Sequence, residues 1–136
     1  MTGGVPESEV PFELRQLIAQ RLESMEQVEV LVLLARNEPR AWTAAETAAE
    51  LRWPQRIAAA CLDELTRGTL LRRVGSGAGG GTYEYAPTAE DRESVAALVR
   101  LYETRPLMLG RLIYDRPPNV ARSFADAFRI RPKRRE

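Results

Sequence analysis

Apolar side chains recur along this chain mainly at helical spacing. Phe12, Leu14, Leu17, Ile18 and Leu22 follow Pro11 and predict a first helix running to about Leu22. Ser24-Met-Glu-Gln27 has the form of a capping box, a hydroxyl with an amide three residues on, and marks a fresh helix from Met25 to about Ala35. Met25, Val28, Leu31, Val32 and Leu34 form its stripe, and Val30 and Leu33 widen it enough to imply burial on more than one side. After the turn Asn37-Glu-Pro-Arg40, Ala41-Trp-Thr43 is predicted as a short strand. Thr43-Ala-Ala-Glu46 is a second capping box and opens a helix to about Leu51. Trp53-Pro54 makes a corner, because proline suits a first helical turn and restricts the residue before it. Ile57, Cys61, Leu62 and Leu65 then place a helix over 54–67, stopped by Gly68-Thr69. The pattern next changes to two short β-prone runs, Leu70–Val74 and Thr82–Ala86, joined by the glycine-rich stretch 75–81. Thr88, with Asp91 completing a box, caps a helix over Ala89–Thr104 with Val95, Leu98, Val99 and Tyr102 on its apolar side. Pro106 starts another, Leu107 to about Tyr114, and Asn119 caps a last short one over 120–130.

Helix, corner, helix, strand, glycine loop, strand is the order of a winged helix-turn-helix. The phrase Cys61-Leu-Asp-Glu-Leu-Thr-Arg-Gly-Thr-Leu-Leu-Arg-Arg73 resembles the end of a recognition helix and the first wing strand of many bacterial regulators. Phe12–Leu34, with Ser24-Met-Glu-Gln-Val-Glu-Val-Leu31, and the ending Ser123-Phe-Ala-Asp-Ala-Phe-Arg-Ile-Arg131 are similar to small bacterial winged-helix proteins without an assigned function. The resemblance implies a mainly α fold with a small β-hairpin wing and additional helices at both ends. It supplies no catalytic or ligand residues. The expected organisation is a disordered lead over residues 1–10, a winged-helix domain with flanking helices over 11–105, and C-terminal helices with a basic tail over 106–136.

Composition narrows the function by exclusion. A chain of 136 residues holds one core. It has one cysteine and no histidine, so an internal disulfide is impossible and a zinc site is not expected. No serine sits in a nucleophile elbow, and the carboxylates are scattered at solvated helical positions. The expectation is therefore no enzyme and no cofactor. No apolar run approaches the roughly 18 residues of a membrane span, and the acidic N-terminus does not read as a signal peptide, so the expected location is cytoplasmic. The net charge of +1 conceals an asymmetry: residues 1–35 carry 2 basic and 6 acidic groups, whereas 83–136 carry 11 and 8. The head repels phosphate and the rest can approach it.

Two functions fit these features. One is transcriptional control through double-stranded DNA. The early exposed positions of the second motif helix would then meet base edges, with Gln55 suited to adenine and Arg56 to guanine. Arg40, Arg52, Arg72 and Arg73 would hold phosphate, while Asp63 and Glu64 would repel it. So few reading side chains call for a second half-site and hence a homodimer, with the apolar helices at 11–23 and 89–114 as the interface. The other is a winged-helix adaptor that binds protein and no DNA. A ligand-sensing regulator ranks below both, because no polar constellation marks a pocket. The 75–81 stretch carries no cation and feeds a strand rather than a helix, so it reads as a flexible loop rather than a phosphate cradle. Trp42 is expected in the core, and Cys61 is expected to act as a small apolar residue. Phe124 and Phe128 share one face of the last helix and either dock on the protein's own core or take a protein partner. The charged tail, 131–136, either touches phosphate or is solvated.

Overall fold

A computed structural model describes residues 10–77 and 80–115. The expected lead before Val10, the 120–130 helix with Phe124 and Phe128, and the 131–136 tail lie outside the described residues. Val10, the last residue of that lead, is itself buried in the core.

Six helices and three strands follow in order: α1 Phe12–Arg21, α2 Met25–Arg36, β1 Trp42–Thr43, α3 Ala44–Leu51, α4 Gln55–Arg67, β2 Leu71–Gly77, β3 Gly80–Tyr85, α5 Ala89–Thr104 and α6 Pro106–Tyr114. The wide stripe of α2 does what its breadth predicts. Val28, Val30, Leu31, Val32 and Leu34 are all buried, between α4 on one side and the sheet and terminal helices on others. Ser24 Oγ accepts from Gln27 N at 3.2 Å, while the Gln27 amide oxygen reaches back to Glu23 N at 2.7 Å, one residue earlier than a reciprocal box requires. The Thr43–Glu46 box is complete, with both bonds at 3.0 Å. Thr88 Oγ1 caps α5 by accepting from Asp91 N at 3.1 Å.

The strands pair antiparallel in the order β1-β3-β2. Trp42 faces Tyr83 across one ladder, and Leu71 faces Tyr85 and Arg73 faces Tyr83 across the other. The hairpin is longer than the β-prone residues alone suggest: β2 continues to Gly77 and β3 starts at Gly80, so most of the glycine stretch is laddered. What lets it do so is a bulge between Val74 and Ser76, where Gly75 takes φ +81°, a value glycine adopts without a Cβ penalty.

The end of α4 falls at Gly68-Thr69, where the sequence places it. Gly68 has an ordinary φ of −81°, and the left-handed residue is Thr69, at φ +65°. Leu70 N donates to Leu65 O at 3.1 Å, so the helix closes in a Schellman turn whose left-handed position, usually glycine, holds a β-branched side chain.

Candidate nucleic-acid interface

The side chains proposed to read bases stand at the start of α4. Arg52 adopts φ +62° to end α3, and Trp53 N turns back onto Ala48 O at 3.0 Å. Pro54 is the N-cap of α4 rather than its first helical residue, and no side chain caps the helix. Its opening N–H groups, at Gln55 and Arg56, are thus left to solvent or a ligand at the positive end of the helix. The next two, at Ile57 and Ala58, bond to Pro54 O. Ala58, Cys61, Leu62 and Leu65 are buried on the opposite side. Gln55, Arg56 and Ala60 are exposed and Ala59 is half-buried. Among the described residues, Arg52, Gln55 and Arg56 have no side-chain hydrogen bond or ion pair, so all three are available.

Two carboxylates expected to oppose phosphate are otherwise engaged. Asp63 Oδ1 accepts from the Tyr83 hydroxyl at 2.7 Å, and Glu64 Oε1 accepts from Gln27 Nε2 at 2.7 Å. They anchor α4 to β3 and to the start of α2. Burial, with the Asp63 bond second, raises the Tyr83 hydroxyl above its ordinary value, so it stays a donor.

The remaining cations are shared with the protein's own groups. Arg72 pairs with Glu84 directly across the hairpin. Arg73 lies over the Tyr83 ring, 5.7 Å from its centroid, and across Gly81, where a Cβ would overlap its Nε. Arg40 stacks on the Trp42 ring at 3.5 Å and stands 3.7 Å from the Glu46 carboxylate. Arg40, Arg72 and Arg73 are all exposed, so these contacts orient the guanidinium groups without withdrawing them from solvent. Trp42 is buried as expected, and its indole N–H has no partner among the described residues. Trp53 is half-buried against the core. Burial pushes the Cys61 thiol up to about 11, so it carries no thiolate near neutrality and packs as an apolar group.

Several solved structures share this arrangement. The chain is similar to MepR of S. aureus in its complex with DNA, at 15% identity over 89% of this chain and 88% of that one, with a TM-score of 0.51. It is similar to MepR in a second structure, as the transcription regulator of the Staphylococcus aureus multidrug efflux pump MepA, at 18% identity over the same shares and a TM-score of 0.50. A MarR family transcription regulator also matches, at 18% identity over 89% of this chain and 76% of that one, with a TM-score of 0.50. The fold is a winged helix-turn-helix. At these identities the likeness is one of architecture. No family model and no curated protein matches the sequence.

Within this winged helix, the wing is the β2–β3 hairpin and α3–α4 is the motif. The most connected polar cluster, however, was not foreseen from the sequence. Arg21, at the end of α1, binds the Asp91 carboxylate with both terminal nitrogens, at 2.7 and 2.8 Å. Its Nη1 also donates to Gly68 O at 3.0 Å and to Thr69 Oγ1 at 3.1 Å. The sequence singles out no role for Arg21, and Asp91 reads only as part of a cap. Their meeting depends on α1 and α5 packing side by side, which no local pattern states.

The Arg21 bonds hold the Asp91 carboxyl below its ordinary value of 3.8, and both side chains are mostly covered. A carboxyl depressed in the folded state is protonated first in the unfolded chain as pH falls. Its contribution is therefore complete above the unfolded value and disappears as pH drops through the folded one. Asp91→Asn is expected to cost about 1.5–3 kcal/mol near neutrality, the worth of hydrogen bonds to a charged group. It should also flatten the loss of stability below pH 4. Urea melts of both proteins from pH 7 down to pH 3 check this; parallel acid slopes would contradict it.

Proposed function

We propose that this protein is a DNA-binding transcriptional regulator of winged-helix type that acts as a homodimer. The observation that carries the reading is the opening turn of α4: uncapped, exposed, and bearing Arg52, Gln55 and Arg56, whose side-chain polar groups have no partner among the described residues. Gln55 and Arg56 read base edges in the major groove. Arg52 holds phosphate beside them, and Arg40, Arg72 and Arg73 do so from β1's approach and the wing. The fold is one that MepR carries in a complex with DNA, which is consistent with this use of α4.

The second copy is proposed to dock on α1 and α6. Phe12, Leu107 and Tyr114 are large apolar or aromatic side chains left 62%, 81% and 58% exposed on these helices, and a second copy would cover them. Among the described residues no helix is long and apolar enough to cross a membrane, so a lipid bilayer is not what covers these residues through a spanning helix.

Selection from random duplexes tests the reading. The wild type should enrich a two-fold symmetric site, and Arg56→Ala should lose discrimination at one base pair per half-site, worth about 1–3 kcal/mol. Arg72→Ala should weaken all duplexes alike and lower the salt slope, as a phosphate contact does. If the wild type enriches nothing and binds no duplex at low salt, the DNA reading fails and a protein-binding adaptor takes its place.

A further inference from the structure

We propose that Arg21 fixes where α4 stands relative to the flanking helices, and so sets the half-site spacing that the protein accepts. This rests on the regulator reading above. The turn between α4 and the wing is held in a conformation the sequence does not favour. Thr69 lies at φ +65°, where a β-branched side chain crowds its own backbone. Such a residue keeps that conformation when its surroundings over-determine it. Here the Schellman bonds of the turn are joined by a constraint from α1. The Arg21 guanidinium closes on Gly68 O and Thr69 Oγ1 with one nitrogen and on the Asp91 carboxylate with both. One side chain therefore joins three elements: the end of α1, the first turn of α5, and the exit of the reading helix.

Those elements share one core but divide by proposed role. α1, α5 and α6 pack on one another and carry the exposed face proposed for the second copy. α4 and the wing carry the proposed DNA contacts. Tyr102–Glu29, Arg36–Glu103 and Met25–Tyr114 tie the flanking helices to α2, and Arg92 of α5 pairs with Glu38 and lies over the Tyr85 ring at the base of the wing. Glu64–Gln27 and Asp63–Tyr83 tie α4 to its own motif and wing. Arg21 joins the two sets of elements at the exit of the reading helix itself. In a symmetric dimer, the spacing of the two reading helices follows from the angle at this junction, and a spacing error of one base pair displaces each helix in both rotation and rise. A bidentate guanidinium–carboxylate pair holds such an angle; a single flexible bond does not.

The experiment measures spacing preference directly. Duplexes carrying two copies of the selected half-site, with the gap lengthened or shortened by single base pairs, are titrated with the wild type and with Arg21→Gln. The wild type should favour one gap by about tenfold, comparable to a single mismatched base pair. Arg21→Gln should bind all gaps within about twofold of one another while its preference inside each half-site stays intact. In the same variant, amide exchange should accelerate at residues 68–71 and remain unchanged at Leu31 and Leu34. Should Arg21→Gln not fold, Asp91→Asn keeps the bonds to the turn but releases α5, and it should flatten the gap preference in the same direction. A gap profile identical to the wild type, or unchanged exchange at residues 68–71, overturns the assignment while the regulator reading stands. Loss of half-site preference together with gap preference marks Arg21 as merely structural and also overturns it. A wild type that binds no duplex overturns both.

Discussion

Replacing Leu31 by alanine should cost the fold about 2–5 kcal/mol, the range for removing a fully buried leucine from a packed core. Leu31 is 0% exposed and lies midway along α2, the helix that α4 and β3 pack against. The lost methyl groups leave a void that the surrounding leucines fill only in part. Because a domain of this size is held together by only about 5–15 kcal/mol, the loss is a large fraction of the whole. Thermal melts followed by circular dichroism should show a fall of roughly 10 °C or more. A loss below about 1 kcal/mol would show that α2 is not the centre of the core.

That placement of α2 was legible in the sequence, because seven apolar residues within ten positions cannot all face one neighbour. The capping hydroxyls at Ser24, Thr43 and Thr88 also located three helix starts, since a cap is a short-range event between residues three apart. Longer-range facts were hidden. The sequence places the stop of α4 at Gly68-Thr69, but it does not show that Thr69 takes the left-handed position or that Arg21 meets it from another helix. Asp63 and Glu64 looked like a repulsive pair on the reading helix. Their bonds to Tyr83 and Gln27 come from elements that only the folded chain brings near. The exposed start of α4 was legible for the opposite reason: Gln55 and Arg56 depend on no distant partner, so helical phase alone predicts their exposure.

A second large effect is expected at the proposed dimer face. Leu107→Glu should convert the protein to a monomer at micromolar concentration and weaken its binding to a two-half-site duplex by about 10²–10⁴-fold, the usual worth of a second linked contact. Leu107 is 81% exposed, so the change leaves the monomer's own core untouched. In a two-fold interface each copy contributes the same patch, and the substitution acts twice. It removes two apolar burials of about 1.5–3 kcal/mol each and places two carboxylates in a dry contact without partners. Light scattering and duplex titration are the measurements. A wild type that is monomeric throughout, or a Leu107→Glu variant that remains dimeric, would remove α1 and α6 from the interface.

The strand order β1-β3-β2 leaves the outer side of β2 without a neighbour among the described residues. An open row of backbone donors and acceptors is a template on which another chain can add a strand. Here the edge carries Arg72 and Arg73 side by side, followed by the bulge at Gly75 that turns the strand out of register. Both devices discourage sheet-to-sheet growth. The two arginines proposed to hold phosphate are thus also the charges that guard this edge. A neutral β-branched residue at either position would remove a cation and unguard an edge at once, and precipitation would then mimic weakened DNA binding. Glutamine or glutamate, which restores polarity to the edge without restoring the phosphate contact, separates the two effects.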